Sequence, residues 1–179
     1  MLIIIILASI LLAIFMKIAD NLNEHHLKMF NGANLLFGFL WGVCGSILIL
    51  QHNILVNVWL AILLGWVVRA KVDRVNHGIG ATIIFLTILF NLNNFTFDYI
   101  TFFIFFIGMV VIGFTHDYLY NKINKTYSKL FHGILYYTLL PLVYSIITNY
   151  WVIFGSLFSF VVAYDFTRFF LMKKKVSKW

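Results

Sequence analysis

The sequence predicts an all-α polytopic membrane protein, a compact bundle of about seven transmembrane helices with its N-terminus outside and its C-terminus cytoplasmic. Three observations carry that expectation. Of the 179 residues, 63% are hydrophobic and 11% are charged, against about 25% charged in ordinary soluble domains. The apolar residues gather into seven runs with short polar connections. Counted as crossings, those runs place all 13 Lys and Arg at or near the exits of the first, third, fifth and seventh. A soluble chain of this length has no interior large enough for so many apolar groups. In a bilayer, lipid surrounds them and each helix satisfies its own backbone polar groups.

The basic residues are Lys17, Lys28, Arg69, Lys71, Arg74, Lys122, Lys125, Lys129, Arg168, Lys173, Lys174, Lys175 and Lys178. The opposite turns, Gln51–Asn53, Asn91–Phe97 and Thr148–Tyr150, carry none. The positive-inside rule therefore makes the basic end cytoplasmic.

The first run, Leu2–Ala19, has Lys17 after its apolar stretch and no small-residue cleavage pattern. It reads as a retained helix entering from outside, not as a cleaved leader. The second, Ala33–Leu50, carries Gly38, Gly42 and Gly45, and the Gly38-xxx-Gly42 spacing favours close helix contact. The third is Ile54–Ala70. The fourth, Gly78–Phe90, falls well short of the roughly 20 residues that cross a hydrocarbon core. A shallow or re-entrant fourth run would move Lys122, Lys125 and Lys129 across the membrane, so the charge asymmetry favours a full crossing. The fifth is Tyr99–Phe114. The sixth, Gly133–Ile147, contains Pro141, which removes a backbone donor and predicts a kink. The seventh, Trp151–Met172, carries Asp165 in an apolar setting.

One transmembrane domain spans residues 1–179, since the connections Asn21–Gly32 and His116–His132 are too short for a separate soluble unit. A weak echo within residues 1–131 hints at two-helix repeats: Asp20, Asp73 and Asp117 each follow an odd-numbered run, with a polar residue four places on. Cys44, the single cysteine, excludes an intrachain disulfide or a paired-cysteine metal or redox motif. The net charge of +7 sits in short clusters flanking the runs, which fits anionic lipid headgroups and not nucleic acid. The tail 173–179 belongs to the same pattern.

Chemistry-bearing residues concentrate at the basic end. If the third helix continues past Ala70, then Arg69, Asp73 and His77 share one face, and Asp73 can pair with Arg69 and orient His77. An ordinary helix-end salt-bridge network explains the same spacing. Asp20 and Glu24, one helical turn apart, repel unless a metal or basic group lies between them. With Asp73 and Asp117 they form a candidate oxygen-ligand set for Mg²⁺ or Mn²⁺. His116, next to Asp117, is a further candidate for proton transfer, as imidazole titrates near neutrality. Arg69, Lys71 and Arg74 are candidates to neutralise phosphate. Asp165 and Arg168, one turn apart, form either a structural pair reaching toward the interface or part of a binding pocket.

The turns Asp20-xxx-Glu24 and Asp73-xxx-His77 resemble the DxxxD-type metal and diphosphate sites of membrane prenyltransferases. The match is confined to those two turns, neither has both aspartates, and seven crossings is few for that fold. The expected function is an integral membrane enzyme of the cell membrane. It acts at the cytoplasmic face on a phosphorylated or isoprenoid lipid by metal-assisted transfer, with His77, Asp73 and His116 as catalytic candidates. A transporter of a small solute, ion or lipid is the main alternative, and a non-catalytic subunit of a membrane complex is the third.

Overall fold

The computed structural model describes residues 1–24, 29–120, 122–123 and 126–176, with the side chains of 24, 126–131 and 172–176 excepted. Seven α-helices occur among the described residues: α1 Leu2–Glu24, α2 Ala33–Ile49, α3 Asn53–Val68, α4 Val75–Phe90, α5 Tyr99–Tyr120, α6 Thr126–Thr148 and α7 Trp151–Val176. Helix α1 packs against α2 and α7, α6 lies between α5 and α7, and α3 packs chiefly on α5 with smaller contacts to α2, α4 and α7. Helix α4 leans on α2.

Several helices continue beyond their apolar runs. Helix α5 runs to Tyr120, past Phe114, and α6 begins at Thr126, ahead of Gly133. Their backbone ladders persist where hydropathy falls, so Asp20, His116, Asp117 and His132 stand on helices and not in loops. Helix α3 does the reverse. It stops at Val68, and Ala70 takes a left-handed conformation with φ of 52°. The Lys71 N–H donates to Trp66 O at 2.8 Å and the Ala70 N–H to Val67 O at 3.0 Å. This is the Schellman closure, with alanine where glycine is usual. The expected single helical face through Arg69, Asp73 and His77 is thereby corrected: Asp73 lies in the connection, and His77 lies in the first turn of α4.

The glycine spacing of α2 works inside the chain. A Cβ at Gly38 would lie 2.9 Å from Asn76 Cα, and one at Gly42 2.8 Å from Gly80 Cα. Only glycine permits that backbone-to-backbone approach of α2 and α4. Further along the same interface, the Ser46 and Thr87 hydroxyls hydrogen-bond at 2.7 Å.

The interior contains Leu12, Leu48, Leu55, Leu63, Phe105 and Ile153, all essentially inaccessible. Buried hydroxyls find partners there: Ser9 and Ser156 are 3.0 Å apart, and the Trp59 indole N–H donates to Ser156 Oγ at 3.3 Å. The outer surface is apolar, with Ile3 and Leu7 on α1, Ile107 and Val111 on α5, and Leu135 and Ile146 on α6 all exposed. Polar groups paired inside and large aliphatic groups outside describe a molecule whose solvent is hydrocarbon.

Among the described residues, three helical stretches are long and apolar enough to cross a membrane by length and composition: Leu2–Asn23, Tyr99–Tyr120 and Trp151–Leu171. The other apolar stretches, Ala33–Ile49, Asn53–Val68, Val75–Phe90 and His132–Thr148, are shorter. At about 1.5 Å per residue, Asn53–Val68 spans about 24 Å, against a hydrocarbon core of about 30 Å. The all-helical bundle and its multi-pass membrane character stand, with three helices of crossing length among the described residues.

The end bearing residues 51–53 and 91–98 is closed by polar bonds. Asn57 Nδ2 donates to Thr96 O at 3.2 Å, and the Asp98 N–H donates to Asn57 Oδ1 at 3.0 Å. The opposite end, which carries Lys17, Arg69, Lys71 and Arg168, is hollow.

Candidate functional site

Because α3 stops early while α1, α5 and α7 continue, the space beyond its C-terminus is left unfilled. It forms a cavity of about 470 Å³. Trp59, Ile62 and Trp66 of α3 line its inner part, together with Trp41 of α2, Met109 of α5 and Leu157 of α7. Around these lie Lys17 and Asp20 of α1, Arg69 to Asp73 of the α3–α4 connection, His77 of α4, His116 and Asp117 of α5, and Tyr164, Asp165 and Arg168 of α7. The site is amphipathic, with aromatic and aliphatic side chains combined with charged and titratable ones.

One polar cluster centres on Asp20, which is nearly inaccessible at 6%. Its Oδ1 is 2.6 Å from His77 Nε2, and its Oδ2 accepts from the Tyr164 hydroxyl at 2.6 Å. Lys17 Nζ donates to that same hydroxyl at 3.2 Å and lies 3.7 Å from Asp20 Oδ2. Four groups from three helices thus satisfy one another in a poorly hydrated setting, where an unpaired charge is costly. His77 Nδ1 is 3.5 Å from Asp73 Oδ1, but the geometry there is not that of a hydrogen bond, and Nδ1 is left buried without one. With Asp20 holding Nε2, Nδ1 is the ring nitrogen turned toward Asp73 and the Lys71 backbone.

A second cluster forms around Arg69, whose side chain is buried. Its Nη2 donates to Asp117 Oδ2 at 2.7 Å and to Gly113 O at 3.1 Å. A Cβ at Gly113 would collide with the guanidinium, so the glycine makes room for the arginine. Lys71 Nζ reaches the same Asp117 oxygen at 3.1 Å. Arg69 Nε has no hydrogen-bond partner among the described residues.

His116 belongs to an aromatic group and not to a dyad with its neighbour. Its ring centroid is 4.9 Å from that of Tyr137 and 5.2 Å from that of His132. Its Nδ1 lies 3.5 Å from Asp117 Oδ1 without forming a hydrogen bond. Arg168 reaches the Tyr120 hydroxyl and ring. Asp165 faces Gly133 across the α6–α7 contact.

The structure thus brings Asp20, Arg69, Lys71, Asp73, His77, His116, Asp117, Asp165 and Arg168 to one cavity. Arg74 does not line it; it pairs with Asp73 at 3.7 Å on the surface. The side chain of Glu24, His25 and His26, and the basic residues Lys28, Lys125, Lys129 and 173–178, lie outside the described residues or side chains. The pairings differ from those the spacing implied. Arg69 holds Asp117 and not Asp73, and His77 is held by Asp20.

Sequence reasoning also passed over residues that matter here. Lys17 reads as a membrane flank, and Tyr164 points away from Asp165 on the helical wheel, yet both bond to the Asp20 cluster. The three cavity tryptophans carried no signal beyond general aromatic richness. Among the described residues no group of three or more His, Cys, Asp or Glu comes together in a way that could hold a metal ion. Asp20 contacts His77, and Asp117 contacts Arg69 and Lys71. Comparison of the chain with family models, curated proteins and solved structures finds no match, so the site is read from its own geometry.

Proposed function

We propose that this chain is an integral membrane enzyme that acts at the cytoplasmic face on a phosphorylated or isoprenoid lipid, with His77 as its proton carrier. The reading takes all seven helices as crossings, with the N-terminus outside, so that the cavity opens to the cytoplasmic leaflet. The observation that carries it is the pairing, in one amphipathic cavity, of the Asp20–His77 contact with the Arg69–Lys71 cations and a tryptophan-lined interior. Cations receive the phosphate, and the apolar lining receives the first part of the tail. Asp20 fixes the ring through Nε2, and Nδ1 takes the proton of the acceptor hydroxyl as its oxygen bonds to phosphorus and the bond from phosphorus to the departing oxygen breaks; Asp73 stabilises the imidazolium, which returns the proton to that leaving oxygen. A divalent ion arriving with the phosphate would have to displace Arg69 from Asp117 or His77 from Asp20. Charge neutralisation therefore falls first to Arg69 and Lys71.

The test uses the purified full chain in nanodiscs, supplied in turn with phosphatidic acid, a polyprenyl phosphate and a polyprenyl diphosphate, each with a hydroxyl acceptor. Products are followed by mass spectrometry. One of these lipids is consumed by the wild type, and His77→Asn slows turnover on the order of 100-fold while binding persists. Lack of both binding and turnover for every phosphorylated lipid overturns the reading.

Transport is favoured as the second reading by one observation. Polar groups continue beyond the cavity, from Trp59 through Ser156 to Ser9. Lipid or solute flux across proteoliposomes without chemical change would select it.

A further inference from the structure

Asp165 is the acidic side chain of this cavity that the reading above leaves unused. It is 7% exposed. Asp20, Asp73 and Asp117 each have a cation or His within salt-bridge distance, yet Asp165 has no such pair and accepts no hydrogen bond among the described residues. Lys17 lies within electrostatic reach but is already engaged with Tyr164 and Asp20. The helix opposite keeps space for the carboxyl: a Cβ at Gly133 would lie 2.6 Å from Asp165 Oδ2. A buried carboxyl that lines a cavity, faces a glycine and has no cation within salt-bridge distance among the described residues is a group kept for a partner from outside the fold.

We propose that Asp165 is the counter-charge for an ammonium group on the ligand, so that the cavity selects a zwitterionic amphiphile with phosphate at Arg69 and Lys71 and the amine at Asp165. The phosphate half rests on the function proposed above; the amine half rests on Asp165 and Gly133 alone. Tyr137 lines the cavity together with Arg69, Asp117 and Asp165, so the two charged ends share one cavity. Phe160 and Trp66 also line the cavity and offer π-faces that attract a desolvated cation. A ligand hydroxyl could donate to Asp165 but would leave its charge uncompensated. An ammonium does both.

The experiment titrates the purified full chain in detergent with phosphatidylethanolamine and with phosphatidic acid of identical acyl chains. Binding is read by tryptophan fluorescence, since Trp41, Trp59 and Trp66 line the cavity, and by thermal stabilisation. Phosphatidylethanolamine is expected to bind at least about tenfold more tightly, a difference of about 1.4 kcal/mol. Asp165→Asn abolishes the preference, while phosphatidic acid still binds. Gly133→Ala, which crowds the carboxyl without removing its charge, weakens the amine lipid selectively. Soluble phosphoethanolamine forms a further arm: Asp165-dependent binding of it identifies the headgroup alone as sufficient. Equal affinity for the two lipids, or a preference that survives Asp165→Asn, overturns the proposal. If phosphatidic acid alone binds, dependent on Arg69, the amine site fails and the phosphate reading survives. If neither lipid binds, the amine proposal falls, and the phosphate reading is then decided by the polyprenyl lipids.

Discussion

His77 is held by Asp20 from another helix and approached by Asp73 from the loop before its own, and the two carboxylates are not equivalent. The Asp20 side chain is 8% exposed and that of Asp73 is 53% exposed. Removing Asp20 leaves the Tyr164 hydroxyl, Lys17 and His77 without their shared acceptor, in a place water reaches poorly. Asp20→Ala is therefore expected to destabilise the protein by about 3 kcal/mol, whereas Asp73→Ala costs under about 1 kcal/mol because solvent already screens it. Denaturation midpoints of the two variants in the same detergent check the contrast, and equal losses would refute it. The polar residues themselves were legible in the sequence, because charge among apolar runs is conspicuous. Their partners were not. Helical spacing pairs Arg69 with Asp73, but the pairing that forms depends on how α3 and α5 meet, and that is a tertiary fact.

The helices owe their limits to local signals of uneven visibility. Asp98 opens α5: its Oδ1 accepts from the N–H groups of Ile100 and Thr101 at 3.0 and 3.2 Å, and its Oδ2 from the Thr101 hydroxyl at 2.5 Å. The Thr101 hydroxyl foremost, with the two backbone donors, holds the Asp98 carboxyl below its ordinary value of 3.8. Folding thus favours the charged form. The stabilisation is complete above the ordinary value and fades as pH falls through the lower folded value. Asp98→Ala should cost about 1 kcal/mol at neutral pH, and the gap from wild type should close on acidification below about pH 4. Paired melts across pH read this directly. The end of α3 was hidden for the opposite reason: alanine is a strong helix former, so nothing before Lys71 announces the turn. Since Ala70 holds φ of 52°, Ala70→Gly should stabilise by up to about 1 kcal/mol, its relief of strain partly offset by greater freedom in the unfolded chain. The glycines of α2 work differently. Their spacing was readable, and the structure supplies the reason in Asn76 and Gly80 of α4. Gly42→Ala should cost about 1–3 kcal/mol, measured by thermal unfolding, because the atom it meets is backbone and has no rotamer to yield.

For the molecule as a whole, the decisive feature is unequal helix length. Helices α1, α5 and α7 have 23, 22 and 26 residues, and α3 has 16. The mismatch leaves the hollow that collects the polar groups at the basic end, while the other end is sealed by Asn57 and Asp98. Hydropathy runs reveal which segments are apolar but not how far a helix continues into polar sequence, so the hollow could not be foreseen even though its charged lining could. The same inequality makes α4 the critical test of topology, because its 16 residues extend only about 24 Å. If α4 crosses, residues 73 and 94 lie on opposite faces of the membrane, with local thinning accommodating the short span. Cys44, the single and buried cysteine, can be replaced by Ala to give a silent background. Single cysteines then replace exposed residues: Asn94→Cys, Asp73→Cys and Lys122→Cys. In intact cells a membrane-impermeant maleimide should modify the Asn94 variant and spare the other two until the membrane is opened. Reversed labelling inverts the orientation and leaves the bundle intact. If the cysteines at 73 and 94 react from the same side, α4 does not cross, and the proposed cytoplasmic site loses the shared surface on which it depends.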